Sequence, residues 1–208
     1  MSRGDRPLNG FSRPAAVVLG LLALIAAGPA AAHTGAALEG GFVAGFAHPL
    51  RGFDHLLAMV AVGIWGAFLG RPLILLLPMV FPTVMAVGGV GGMAGLPFPP
   101  VELGIALSVL VLGLAIAFAQ RAPVWAACLM VGLFGLFHGF AHGQELPVAG
   151  DPLAYSLGFV LATGLLHLAG IALGLLSRYP PGRLALRGAG AAIAAAGGWF
   201  VVQALAAA

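Results

Sequence analysis

From Asp54 to Ala206 the chain is a succession of apolar segments, most of about 20 residues, separated only by short breaks of proline, glycine and arginine. At 1.5 Å per residue such segments match the ~30 Å hydrocarbon core of a bilayer, and in lipid a helix satisfies its own backbone polar groups. The expected fold is therefore an all-α membrane protein. Six spans are predicted: Asp54 to Leu69, Pro72 to Gly95, Pro100 to Gln120, Pro123 to His142, Pro152 to Ser177, and Leu184 to Ala206. The first is short, and a further apolar piece, Gly35 to Ala47, precedes it. Pro49 and Gly52 are expected to interrupt helical geometry between the two, making this piece a half-helix that lies in the outer interface or leads into the span.

Composition supports that environment. Apolar types make up 61% of the 208 residues and charged types 7%, where a soluble domain carries about 25% charge. Water would not keep so uncharged a surface dispersed. The chain has no lysine, and its one cysteine, Cys128, lies in an apolar run, which excludes disulfides and cysteine-based metal sites within one chain. Nine arginines against six acids are no evidence for nucleic-acid binding in a sequence this short of charge.

Residues 1–32 have the form of a secretory signal peptide. Arg3, Arg6 and Arg13 lead, Ala15 to Ala27 is an apolar core too short for a span, and Pro29-Ala30-Ala31-Ala32 forms a small-residue cleavage site. Cleavage there leaves His33 as the mature amino terminus and residues 33–208 as one six-helix transport domain; an uncleaved anchor helix is the alternative. Either way the loops after spans one, three and five face the cytoplasm, and they hold Arg71, Arg121, Arg178, Arg183 and Arg187, whereas the outer loops hold Glu102, Glu145 and Asp151. That is the positive-inside pattern. Arg51 is the exception, expected to pair with Asp54. Glycine pairs four residues apart, Gly66/Gly70, Gly88/Gly92, Gly135/Gly139/Gly143 and Gly170/Gly174, predict close helix packing, in a compact bundle or a tight homo-oligomer.

Ionisable groups at membrane depth each need a reason, since a central charge costs about 2.5 to 3.5 kcal/mol on insertion scales. Two clusters meet that description, both at the outer face. In the second, His138 and His142 lie four apart, so their rings share one helix face about 6 Å apart, and Glu145 returns to that face if the helix persists. Two imidazoles and a carboxylate suit nickel, cobalt, zinc or copper better than calcium or magnesium. Equally, two interfacial histidines can simply hydrogen-bond headgroups or a neighbouring helix. In the first cluster the break at Pro49 and Gly52 lets His48 fold back beside Asp54 and His55, and Met59 adds a thioether one turn below His55. Asp54 as a helix cap and Met59 as packing are the plainer alternatives. His33, as a free terminus, could chelate through its amine and ring. His167, about 22 Å into span five, has either a hydrogen-bond partner or a place on an ion path. Glu102 is a helix-end carboxylate or a pathway ligand.

The stretches His33-Thr34-Gly35, Gly45-Phe46-Ala47-His48-Pro49, Gly52-Phe53-Asp54-His55-Leu56-Leu57-Ala58-Met59, and Phe137-His138-Gly139-Phe140-Ala141-His142-Gly143 with Glu145 resemble the HupE/UreJ proteins. The resemblance implies a nickel/cobalt permease of hydrogenase or urease maturation. It would lie in a bacterial inner membrane with both mature termini periplasmic, and its divalent cargo would be held by His48, Asp54, His55, His138, His142 and Glu145. Neither motif departs from the family pattern. No prosthetic group is expected, only Ni2+ or Co2+ as the bound ion. No enzyme is expected either: His-Glu-x-x-His is absent and no nucleophile stands beside a base. The competing readings are a metal sensor or accessory protein without flux, and a haem protein ligated by facing histidines such as His138 and His167.

Overall fold

The computed structural model describes residues 41–146 and 151–207, so the expected signal peptide and His33 lie outside the described residues. Every described element is helical: α1 Gly41–Arg51, α2 Phe53–Leu69, α3 Leu73–Met93, α4 Val101–Ala117, α5 Val124–Glu145, α6 Pro152–Gly174 and α7 Pro180–Ala206, with a 3-10 turn, Leu175–Arg178, between the last two. Local chemistry sets several boundaries. Asp151 caps α6 by accepting from the Ala154 amide at 3.0 Å, with Pro152 at the first helical position, where its missing N–H costs nothing. Gly70 ends α2 at φ +77°, a conformation that side chains disfavour.

Among the described residues, four helices are long and apolar enough to cross a membrane: α3, α5, α6 with its 3-10 extension, and α7. The pair α1 and α2 adds a fifth if counted as one broken span, bent by 78°. Helix α4 is apolar but has only 17 residues. Each of the six expected segments thus carries a helix, although two of those helices fall short of a full span by length. The break before α2 differs in detail from expectation. Pro49 sits inside the last turn of α1, and the chain bends at Gly52 alone.

Successive helices alternate in direction. Asp54, Glu102, Glu145 and Asp151 therefore gather at one end of the bundle and Arg71, Arg121, Arg178, Arg183 and Arg187 at the other, with Arg51 alone among the described arginines at the acidic end. At the basic end Arg187 Nε donates to the Ala117 carbonyl at 2.8 Å, satisfying an acceptor in the last turn of α4, and Trp65 Nε1 donates to the Gln120 carbonyl at 3.1 Å. The expected Arg51–Asp54 ion pair does not form, because His55 takes the carboxylate.

Helix α3 packs along α5, α4 along α7, and α6 against both α1 and α2, while α2 also touches α3 and α4. Most of these contacts close on glycine. A Cβ at Gly139 would overlap the Met85 carbonyl, at Gly88 the Leu136 carbonyl, at Gly63 the His167 carbonyl, at Gly170 the Val60 carbonyl and at Gly45 the Tyr155 carbonyl. Three of the four expected glycine sets therefore pack as expected. Gly66/Gly70 does not, since Gly70 serves the turn and has nothing within 4 Å. Exposed residues on the outer faces, such as Leu75, Met79, Leu129, Leu133, Leu161, Leu165 and Val202, present lipid with apolar surface.

Gly139→Ala forces backbone apart and is expected to lower stability by about 1–3 kcal/mol. Gly164→Ala, where a Cβ meets nothing within 4 Å, is expected to be neutral or to stabilise by up to ~1 kcal/mol. Thermal midpoints of the two variants in the same detergent check the contrast.

Candidate metal centre

The bend at Gly52 turns the last turn of α1 back onto the first turn of α2, placing His48 beside His55 with ring centroids 6.0 Å apart. Helix α5 brings up His138 and His142, one turn apart on one face. The four rings adjoin in sequence: His48 to His142 at 4.8 Å, His142 to His55 at 4.6 Å and His55 to His138 at 4.8 Å. All are buried, with His55 and His138 at 0% exposure.

Three of these rings have a defined proton. His55 Nδ1 lies 2.8 Å from Asp54 Oδ1, His138 Nδ1 lies 2.9 Å from the Phe134 carbonyl, and His142 Nδ1 lies 3.3 Å from Glu145 Oε2. A carbonyl or carboxylate only accepts, so each neutral ring places its hydrogen on Nδ1 and its lone pair on Nε2. Those Nε2 atoms are buried and have no hydrogen-bond partner. A buried lone pair left so, with the opposite nitrogen anchored by an acceptor, is the arrangement of a metal-ligating histidine and its orienting group. At the acidic end of the row, single ligand atoms of His48, His142 and Glu145 come within 4.8 Å of one another. Glu145 Oε2 stands 3.9 Å from His48 Nε2. The donor set, imidazole nitrogen with carboxylate oxygen, suits a divalent transition metal.

The remaining expected residues take different places. Asp54 anchors His55 and also lines a cleft of about 410 Å³ with Glu102 and Gln203. Glu102 is exposed in the first turn of α4, so it shares that cleft with Asp54. Met59 is fully buried one turn deeper on α2, within the apolar core. His167 lies deep on α6, separated from His138 by one ring: Phe81 packs 5.2 Å from His138 and 5.5 Å from His167. Phe81 thus lies between the two histidines that the haem reading pairs. Phe159 and Tyr155 complete the wall, Phe159 at 4.4 Å from His142 and Tyr155 at 6.0 Å from His48. Sequence reasoning missed both, although Tyr155, Phe159, Thr163 and His167 recur every fourth residue and so mark one face of α6. Phe81 carried no signal, lying between two prolines in a wholly apolar run.

Purified protein is expected to bind Co2+ with ligand-field absorption. Asp54→Asn and Glu145→Gln should each weaken that binding 10–100-fold, the usual effect of removing an orienting carboxylate; equilibrium titration followed by absorption checks this.

Comparison with known proteins bears on this geometry. No solved structure matches the chain. It is 44% identical over 175 residues to Protein HupE of Rhizobium leguminosarum bv. viciae, an alignment covering 84% of this chain and 92% of that protein. The model of the family described as HupE / UreJ protein matches residues 21–200, which include every histidine described above. This all-helical membrane protein belongs to the HupE/UreJ family.

Proposed function

We propose that the protein is an inner-membrane permease that takes up a divalent transition metal, nickel first and cobalt next, from the periplasmic side. The observation that carries this reading is the row of adjoining imidazoles running inward from the His48, His142 and Glu145 set. A resident structural metal needs one closed shell. A row of ligands, each one ring away from the next, suits exchange of a cation from one set of nitrogens to another, since conduction requires binding that is weak enough to leave. Family membership agrees, the HupE/UreJ proteins being associated with nickel and cobalt transport for hydrogenase and urease. The acidic cleft at the mouth, with Asp54 and Glu102, attracts cations toward the row.

In this reading α1 and α2 form one broken span, α4 crosses despite its length, and six spans follow a cleaved signal peptide whose removal adds His33 to the outer site. The acidic end faces the periplasm and the arginine end the cytoplasm, as the positive-inside rule requires. An inside-negative potential then favours entry by about 4.6 kcal/mol for a divalent ion per 100 mV, which corresponds to accumulation on the order of a thousandfold.

Uptake of radiolabelled Ni2+ and, separately, Co2+ into proteoliposomes tests the proposal. Saturable uptake is expected, reduced at least tenfold by His142→Ala and by His138→Ala with the proteins still inserted. Metal bound at stoichiometry without flux would make the protein a sensor or accessory factor. Because imidazole ligates only when neutral, uptake is also expected to fall as the outer pH is lowered, more steeply than one proton per metal since several rings must be neutral. Initial rates measured from pH 8 to pH 5 at fixed potential check the sign and the slope.

A further inference from the structure

We propose a second, weaker cation site deeper in the bundle, formed by His167 and Thr163 of α6 with the Pro78 carbonyl of α3, and closed off from the outer histidines by the Phe81 ring.

Thr163 is 0% exposed and His167 1% exposed. Being four apart on α6, their side chains share a face about 6 Å apart. Neither Thr163 Oγ1 nor either ring nitrogen of His167 has a hydrogen-bond partner. A hydroxyl in a helix usually satisfies itself on the carbonyl one turn back. Three among the described residues do so, Thr83 to Met79 at 2.7 Å, Ser156 to Pro152 at 2.8 Å and the buried Ser108 to Ile105 at 2.6 Å. Thr163 does not, although it is as fully buried as Ser108. Buried polar groups left unsatisfied each cost free energy and call for an absent water or ion.

Helix α3 supplies the third group. Pro78 and Pro82 both lie inside it. Pro82 has no N–H to give the Pro78 carbonyl, which is therefore released from the helix ladder. The freed carbonyl lies one turn before Phe81, whose ring packs 5.5 Å from that of His167. One imidazole, one hydroxyl and one peptide oxygen make a poorer set for a transition metal than several imidazoles with carboxylates. Affinity therefore falls inward, as release to the cytoplasm requires. Phe81 packs against both His138 and His167 and carries no ligand atom, so a cation passing from the outer row to the inner site has to displace it. Its position between the two prolines puts it where α3 lacks ladder hydrogen bonds and bends most easily.

The inference rests on the metal-permease reading, and its test separates the two because it reads binding without flux. The whole protein in lipid nanodiscs is titrated with Co2+ to millimolar concentration, by calorimetry and absorption. Two binding steps are expected. His167→Gln should remove the weaker step and leave the tighter constant within twofold. Thr163→Val, which keeps shape and apolar packing, should weaken that step at least fivefold. Phe81→Ala should speed its filling at least tenfold in stopped-flow mixing and leave the tighter step unmoved. A single step in the wild-type protein, or a second step indifferent to His167→Gln and Thr163→Val, would overturn the inner site. Filling at the wild-type rate in Phe81→Ala would overturn the partition. Loss of the permease reading shows elsewhere, as metal bound at both steps with no uptake into proteoliposomes.

Discussion

Helix backbones in this protein meet at glycine, and the placement of every functional ring depends on that contact. Gly135 and Gly139 of α5 seat against the Phe81 and Met85 carbonyls of α3, which sets Phe81 beside His138. Gly45 of α1 seats against the Tyr155 carbonyl of α6, carrying His48 to the same wall, and Gly63 with Gly170 locks α2 to α6 beside His167. In lipid there is no hydrophobic drive between helices, so dispersion at close range has to hold them, and it falls off steeply with a fraction of an ångström. The same closeness brings rings from three helices into one row.

Burying imidazoles at membrane depth is unfavourable unless their polar atoms are used. Here the Nδ1 side is used internally, by Asp54, the Phe134 carbonyl and Glu145. The Nε2 side stays open to a cation. Asp54 and Glu145 therefore act first as orienting groups, with Glu145 also close enough to His48 to join a metal shell. Only α1 is foreign to a simple up-and-down bundle. Its 78° bend is what returns His48 to the row, so the bend at Gly52 is part of the site.

Much of the outer site was legible in the sequence because its members are local in the chain. His138, His142 and Glu145 are bound to one face by helical spacing, and Asp54 with His55 follows directly on a helix start. Packing by Gly88, Gly139, Gly143 and Gly170 was legible for the same reason of period. Misreadings arose where the outcome depended on competition between groups. Arg51 was expected to hold Asp54, but the adjacent imidazole is nearer and already ordered. Gly70 looked like a packing residue and serves a turn.

The sequence by itself determined the solvent and the helices, because the run of apolar side chains leaves lipid as the only environment and the helix as the open-ended structure that satisfies a backbone there. It also determined the ligand types and the asymmetry of charge between the two ends, which follows from alternation alone. Tertiary structure decided the order of the rings, the position of Phe81 between His138 and His167, and the burial of Thr163. Those depend on how α3, α5 and α6 rotate against one another, and rotation is set by side-chain contacts between segments far apart in the chain.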